Sequence, residues 1–277
     1  MTNIQIPTAT TKLKIIPGKG QAHQACICNH NIDITTGGCP VALNKDAAYE
    51  SSKRCQYCYA MYVHKKGFVK NKTIDPREWD KAKLELPVIR IGKMVEPGGR
   101  ESRELLVNSL ELNNKHNLKT ILVTKILDWD PEVSKLLKVH NSTLHISMGY
   151  DNLEEGAANR GFDNEARLKV ARRYHKAGNN VYLRIVVDIT SSIPKNIKAW
   201  EKYGIPFLIT PLRFFKKDLI QLVLPEESWE SLIESKRYKY KNALIPIKMH
   251  SDWSKHKERC GYIGSKFHCN NCGLGKL

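Results

Sequence analysis

The sequence predicts an α/β fold, an open or partial (β/α)6 barrel with a cysteine-containing C-terminal appendage. Three observations carry that prediction. Short apolar runs alternate with longer amphipathic stretches, the pattern of right-handed βαβ units and a parallel sheet. Five such runs lie between residues 86 and 214, and one earlier strand is expected near "TKLKIIPG" (11–18), too few for a closed eight-strand ring. No Gly-rich phosphate fingerprint opens a helix after the first run, which argues against a doubly wound sheet.

The elements follow in order. "LPVIRIG" (86–92) reads as a buried strand, and a helix is expected from about Arg100 to His116. "LKTILVT" (118–124) is the second strand. "DPEVSKLLKVH" is a helix with Asp130 as N-cap and Pro131 in its first turn. "STLHISMG" (142–149) is the third strand, and "FDNEARLKVARRYHKAGNN" a helix ending at an Ala-Gly-Asn stop. "VYLRIVVDIT" (181–190), the helix "PKNIKAWEKYG" and the strand "IPFLITPLRF" complete the series. The pattern then turns irregular and basic. Three units result: an N-terminal segment (1–38), the barrel (39–212) and a basic C-terminal extension (213–277).

At 277 residues and 41% hydrophobic, the chain can bury a sizeable core. It has no apolar run of about 18 residues, so no membrane span is expected. The first twenty residues lack the basic-then-apolar layout of a secretory signal, so the cytoplasm is the expected location. There, eight cysteines are better explained by metal ligation, a cluster or catalysis than by disulfides. Lys and Arg number 45 against 28 Asp and Glu, a net charge of +17. Such a field favours polyanions, nucleic acid first.

The densest chemistry lies in "GGCPVALNKDAAYESSKRCQYCYAMY" (37–62), which holds Cys39, Cys55 and Cys58. Three thiolates on a [4Fe–4S] cluster leave one iron free to bind a small molecule, whereas zinc would want a closed set of four or three plus water. Spacing alone leaves both open.

The flanks narrow the choice. "CQYCYA" followed by βα units resembles the radical S-adenosylmethionine superfamily, in which a C-x-x-x-C-x-aromatic-C loop precedes a partial (β/α)6 barrel. The motif order is most similar to the spore photoproduct lyase branch. Cys55-Gln-Tyr57-Cys58-Tyr59 is followed by Thr124-Lys125 and then by "ISMGYDNLEEG" with Ser147, over roughly residues 39–215. Fifteen residues separate Cys39 from Cys55, a stretched first spacing whose closure cost grows only with the logarithm of loop length. "IRIGKMVEPGG" has no counterpart of the lyases' hydrogen-donating cysteine, so cofactor chemistry is implied more than photoproduct repair.

The resemblance implies the following roles. Cys39, Cys55 and Cys58 bind the [4Fe–4S] cluster, and its open iron chelates S-adenosylmethionine, which is cleaved reductively to a 5′-deoxyadenosyl radical. Tyr57 lies beside the adenine, and Tyr59 relays a hydrogen atom. Lys125 pairs with the methionyl carboxylate, Glu96 in "MVEPGG" accepts from the methionyl amine, and Ser147 and Arg184 face the cofactor from strand ends. Flavodoxin or ferredoxin is the implied reductant.

"CGYIGSKFHCNNCGLG" supplies Cys260, Cys269 and Cys272, which with Cys28 (or Cys26) would complete a four-thiolate site for a second [4Fe–4S] cluster or zinc. His250, His256 and His268 keep a mixed Cys/His zinc site open. Two basic stretches interleave aromatics with Lys and Arg, as phosphate contact plus base stacking requires. "YVHKKGFVKNK" (62–72) holds Lys65 and Lys66, and the stretch 235–260 holds Lys236, Arg237, Lys239 and Lys241. The reading is a radical enzyme that modifies or rearranges a nucleic acid, with a DNA base favoured and a phage or mobile-element setting fitting the short Lys-rich chain. Its rivals are a radical enzyme acting on a peptide and a non-catalytic zinc-bearing nucleic-acid-binding protein.

Overall fold

A computed structural model of the chain describes residues 10–12, 16–17, 30–32, 34, 71–81, 87–92, 96–149, 163–187, 201–211, 213–214, 245–246, 261–263 and 266–268. The strands are β1 (Thr10–Lys12), β2 (Ile16–Pro17), β3 (His30–Ile32), β4 (Asn71–Thr73), β5 (Val88–Ile91), β6 (Lys119–Thr124) and β7 (Thr143–Met148). They continue with β8 (Asn180–Val187), β9 (Phe207–Pro211), β10 (Arg213–Phe214), β11 (Ile245–Pro246), β12 (Gly261–Ile263) and β13 (Lys266–His268). The helices are α1 (Arg77–Lys81), α2 (Arg103–Lys115), α3 (Pro131–Lys138) and α4 (Asn164–Lys176).

The chain forms a mixed α/β fold around one seven-stranded sheet of order β2-β3-β5-β6-β7-β8-β9. From β3 to β9 every neighbouring pair is parallel, and β2 adds an antiparallel edge. The sixth parallel strand is therefore His30–Ile32. The segment expected to supply it, "TKLKIIPG", instead contributes that antiparallel edge and, through β1, a separate parallel pair with β4. The reason is geometric: "NIDI" carries an alternating Ile32 and Ile34, both fully buried, and that period-two signal outweighs the mixed run upstream. The helix read over "PKNIKAWEKYG" falls mostly outside the described residues. The five strands from 86 to 214 lie where they were expected, trimmed by a few residues at their ends.

One face of the sheet makes the main core. Ile32, Ile91, Leu122, Leu144, Ile146, Met148, Leu183, Ile185 and Ile209 pack with Leu106 and Leu110 of α2, Val133 and Leu137 of α3, and Leu168, Ala171 and Tyr174 of α4. Local chemistry sets the helix positions. Asp130 caps α3 as expected, its side chain accepting from the N–H groups of Glu132 and Val133. Asp163 does the same for α4 through the N–H of Ala166. Asn113 is buried within α2 because it accepts from Trp79 Nε1 (2.7 Å) and donates to Thr120 Oγ1 (2.9 Å), tying α1 and α2 to β6. Tyr174 links α4 to the β6–α3 connection, accepting from the Asp130 N–H and donating to the Asp128 carbonyl, each at 3.1 Å.

Candidate functional site

In parallel α/β sheets, functional side chains gather at the C-terminal strand ends, where βα loops leave the sheet. Three sequence-predicted residues lie there within the described part of the chain, and a fourth, Arg184, lies beside Ser147, three residues before the end of β8. Glu96 follows β5, Lys125 follows β6, and Ser147 is the penultimate residue of β7.

Glu96 is buried and held by its own chain. Its Oε1 accepts from the Gly98 N–H at 2.9 Å and from the Thr124 hydroxyl, and its Oε2 accepts from the Lys125 N–H at 2.8 Å. Burial pushes this carboxyl above the usual glutamate range, against the opposing pull of those three hydrogen bonds and the Lys125 charge. The turn that aims Glu96 needs glycine twice. Gly92 has φ of 87°, and a Cβ there would run into the Val123 carbonyl. A Cβ on Gly98 would strike the Thr124 hydroxyl and come within 2.8 Å of the Leu127 backbone. Glu96 therefore clamps the loop after β5 to the end of β6.

Ser147 and Arg184 are register partners on β7 and β8, so they share a face of the sheet, and both are more than nine-tenths buried. Thr124 is the last β6 residue paired with β7, opposite Ile146. Lys125 comes one step beyond that pair, as Ser147 does. The register thus places Lys125, Ser147 and Arg184 in successive positions across three neighbouring strands, with Glu96 bonded to the Lys125 backbone. The end of β7 is pinned in turn. Asn164 at the start of α4 accepts from the Gly149 N–H (3.2 Å) and donates to the Gly149 carbonyl (2.6 Å), and Arg167 Nη1 donates to the Ser147 carbonyl (3.3 Å).

The register shows more on this face than the sequence reading chose. Two and four residues before Ser147 on β7 lie His145 and Thr143. His145 pairs with Tyr182, and β5 brings Arg90 opposite Ile121, which itself pairs with Thr143. Thr210 of β9 pairs with Val186 on the same face. His145 is fully buried, and among the described residues neither of its ring nitrogens has a hydrogen-bond partner. The hydroxyls of Thr143 and Thr210 are likewise buried and unpartnered among those residues. Desolvation, then the charges of Arg184 and Arg90, hold the His145 imidazole well below its usual pKa, so it is neutral near pH 7. Tyr182 meets it edge-on, ring centroids 5.5 Å apart. The available signal was the polar residue at every second position in "VIRIG", "TLHISM" and "VYLRIV".

Every cysteine lies outside the described residues: Cys39, Cys55 and Cys58 of the triplet, and Cys26, Cys28, Cys260, Cys269 and Cys272 of the other two groups. So do Tyr57, Tyr59, Lys65, Lys66, Lys236, Arg237, Lys239 and Lys241. Near the C-terminus β12 and β13 pair antiparallel with Gly261 opposite His268, the residues next in sequence to Cys260 and Cys269. No helix among the described residues is long and apolar enough to cross a membrane.

No protein-family model matches the chain, and no curated protein matches it. Two solved structures are similar, both of SuiB from Streptococcus suis. One, with S-adenosylmethionine bound to SuiB, is 18% identical over 49% of this chain and 33% of that one, with a TM-score of 0.36. The other is 14% identical over 64% of this chain and 37% of that one, with a TM-score of 0.38. This chain thus spans little more than a third of SuiB, and neither superposition is close enough to establish a shared fold.

Proposed function

We propose that this chain is a radical S-adenosylmethionine enzyme with a partial (β/α)6 barrel. The observation that supports the reading most is the register that sets Lys125 and Ser147, at the ends of β6 and β7, level with Arg184 on the neighbouring β8. These are the residues that the resemblance of "CQYCYA" and its downstream motifs to the spore photoproduct lyase branch assigns to the cofactor. The donor set fits: two cations and a hydroxyl suit a carboxylate and sugar hydroxyls.

Cys39, Cys55 and Cys58 would hold the [4Fe–4S] cluster. When bound, cluster and S-adenosylmethionine together supply a carbon radical able to abstract hydrogen, with flavodoxin or ferredoxin as electron source. The remaining work belongs to the chain. Lys125 and Arg184 orient a carboxylate by charge, and Ser147 offers a hydroxyl between them. Glu96 spends its bonds on Gly98, Thr124 and Lys125, so its main part is to fix the β6 end, with Oε2 left to accept from an amine. Tyr57 would stack on the adenine and Tyr59 would relay a hydrogen atom. Cys28 (or Cys26), Cys260, Cys269 and Cys272 would bind a second cluster or zinc; the hairpin that pairs Gly261 with His268 supports closure of the chain there.

The substrate in this reading is a nucleic acid, DNA favoured, supported by the +17 charge and the two basic, aromatic-interleaved stretches with Lys65, Lys66, Lys236, Arg237, Lys239 and Lys241. One anaerobic experiment tests the core of it. Protein purified without oxygen should be brown, should release 5′-deoxyadenosine from S-adenosylmethionine under dithionite, and should lose that activity in Cys58→Ala. Colourless protein, or zinc alone at the triplet, would sink it. Adding DNA, RNA or an acidic peptide to the same assay then ranks the substrate classes.

A further inference from the structure

We propose that the polar face of the sheet holds a second site, for an oxyanion of the substrate, built from Arg90 and His145 with the hydroxyl of Thr143. The site is distinct from the strand-end positions assigned to the cofactor, and it does not depend on the iron cluster.

The argument starts from cost. A sheet covered on both faces gains most from apolar side chains on both. Each buried polar atom without a partner gives up its hydrogen bonds to water and gains none in return. His145 contributes two such nitrogens at 0% exposure, and Thr143 and Thr210 contribute a hydroxyl each. A leucine at position 145 would avoid the penalty. The polar set therefore fits a binding role better than a packing one.

Position then selects the ligand. His145 sits midway along this face. Arg184 is one pleat repeat further along on the neighbouring strand, and Arg90 is one repeat back on the strand beyond β6. With strands about 4.8 Å apart, the Arg90 backbone lies roughly 12 Å from that of His145 and roughly 10 Å from that of Thr143, a span that facing side chains cover from both ends. Both guanidiniums act electrostatically on the imidazole. A permanent cation and a neutral imidazole N–H, beside a hydroxyl, form a donor set that an oxyanion satisfies and an amine or alkyl group does not. The ligand chemistry is thus a phosphate or a carboxylate. The proposed nucleic-acid substrate would present the former, an acidic peptide the latter.

The test uses the full-length protein labelled with 13C at the histidine Cε1. His145 should give a signal that stays neutral down to acidic pH, identified by its loss in His145→Gln. Inorganic phosphate and acetate are then titrated separately. Saturable movement of that signal by phosphate supports a phosphate site, and by acetate alone a carboxylate site. Arg90→Gln should weaken binding at least about tenfold, with Arg90→Lys recovering part of the loss. No movement with either anion overturns the proposal, and so does equal affinity in the wild type and Arg90→Gln. Where variants do not fold, the wild-type titration alone decides. Competition by S-adenosylmethionine also overturns it, because the anion would then occupy the cofactor's own seat. Failure of the radical reading shows instead as absent 5′-deoxyadenosine, which these titrations do not touch.

Discussion

The two faces of the parallel sheet are built from the same strands, yet their chemistry is opposite, and the helix face is the more completely buried, with Arg90, Val123 and Tyr182 half-buried on the other. Toward the helices, β7 presents Leu144, Ile146 and Met148; on the other side the same strand presents Thr143, His145 and Ser147. β8 repeats the division, with Val181, Leu183 and Ile185 on one side and Tyr182 and Arg184 on the other. The contrast separates two roles within single strands. Burial of apolar area on the helix face drives folding, at roughly 25 cal/mol per Å² removed from water. The opposite face pays part of that back in desolvated polar groups, which points to selection for binding.

The comparison is broken most forcefully from the helix face. Leu144 is fully buried in the core cluster against α2, α3 and α4. Leu144→Ala should lower the unfolding free energy by about 2–5 kcal/mol, the transfer loss plus the cavity left behind. Urea unfolding followed by circular dichroism measures it. A loss below about 1 kcal/mol would mean that this face is not the stabilising one, and the division between the faces would fall.

How much of this was legible beforehand follows the same division. Periodicity and caps located the strands and helices between 88 and 211, down to Asp130 as the N-cap of α3, because those signals are local in sequence. Lys125 and Ser147 were singled out by motif order and Arg184 by its strand, and the register sets the three side by side on β6, β7 and β8. The polar face as a whole was not legible. The alternation of polar and apolar residues in "TLHISM" is local, but only register shows that Arg90, His145 and Arg184, on three different strands, share a side. The Glu96 clamp was hidden for a related reason: its contact with Thr124 spans 28 residues, and nothing local announces it. The short β3 escaped because its period-two signal amounts to Ile32 and Ile34 alone, which burial and pairing with β5 make decisive but sequence does not.

A middle-sized effect of opposite sign sharpens the comparison. His145→Leu removes two unpartnered nitrogens and keeps the volume, so at pH 7 the variant should be as stable as the wild type or about 1 kcal/mol more stable. Its pH profile should differ as well. The folded imidazole binds its proton far less readily than the unfolded one, because of desolvation and the charges of Arg184 and Arg90. Below the usual imidazole value of about 6.5 the unfolded chain therefore takes up a proton that the folded chain refuses, and wild-type stability falls with pH. The variant should lack that component. Glu96 acts in the reverse sense, since its raised pKa favours the folded state as pH falls, but it is present in both proteins and cancels in their difference. Tyr182, which meets the ring edge-on, is present in both proteins and likewise cancels. Superimposable stability profiles between pH 4.5 and 7 would show that His145 is not held neutral in the fold.

The smallest expected effect belongs to neither face, and that makes it the control. Asp130 caps α3 in the outer layer, accepting from the N–H groups of Glu132 and Val133 while Arg103 Nε approaches its other oxygen at 2.6 Å. Removing the side chain in Asp130→Ala leaves two helix N–H groups to water. Arg103 is half exposed and keeps Glu132 at 2.7 Å, so most of the loss is the cap itself, about 0.5–2 kcal/mol. Because Asp130 touches no residue of the polar face, phosphate should move the His145 signal in this variant with unchanged affinity. A helix end weakened by that amount, beside an anion site that does not respond, is what independent layers predict. A parallel loss of both would mean that the outer layer sets the geometry of the polar face through Tyr174, whose hydroxyl accepts from the Asp130 N–H and bonds to the Asp128 carbonyl.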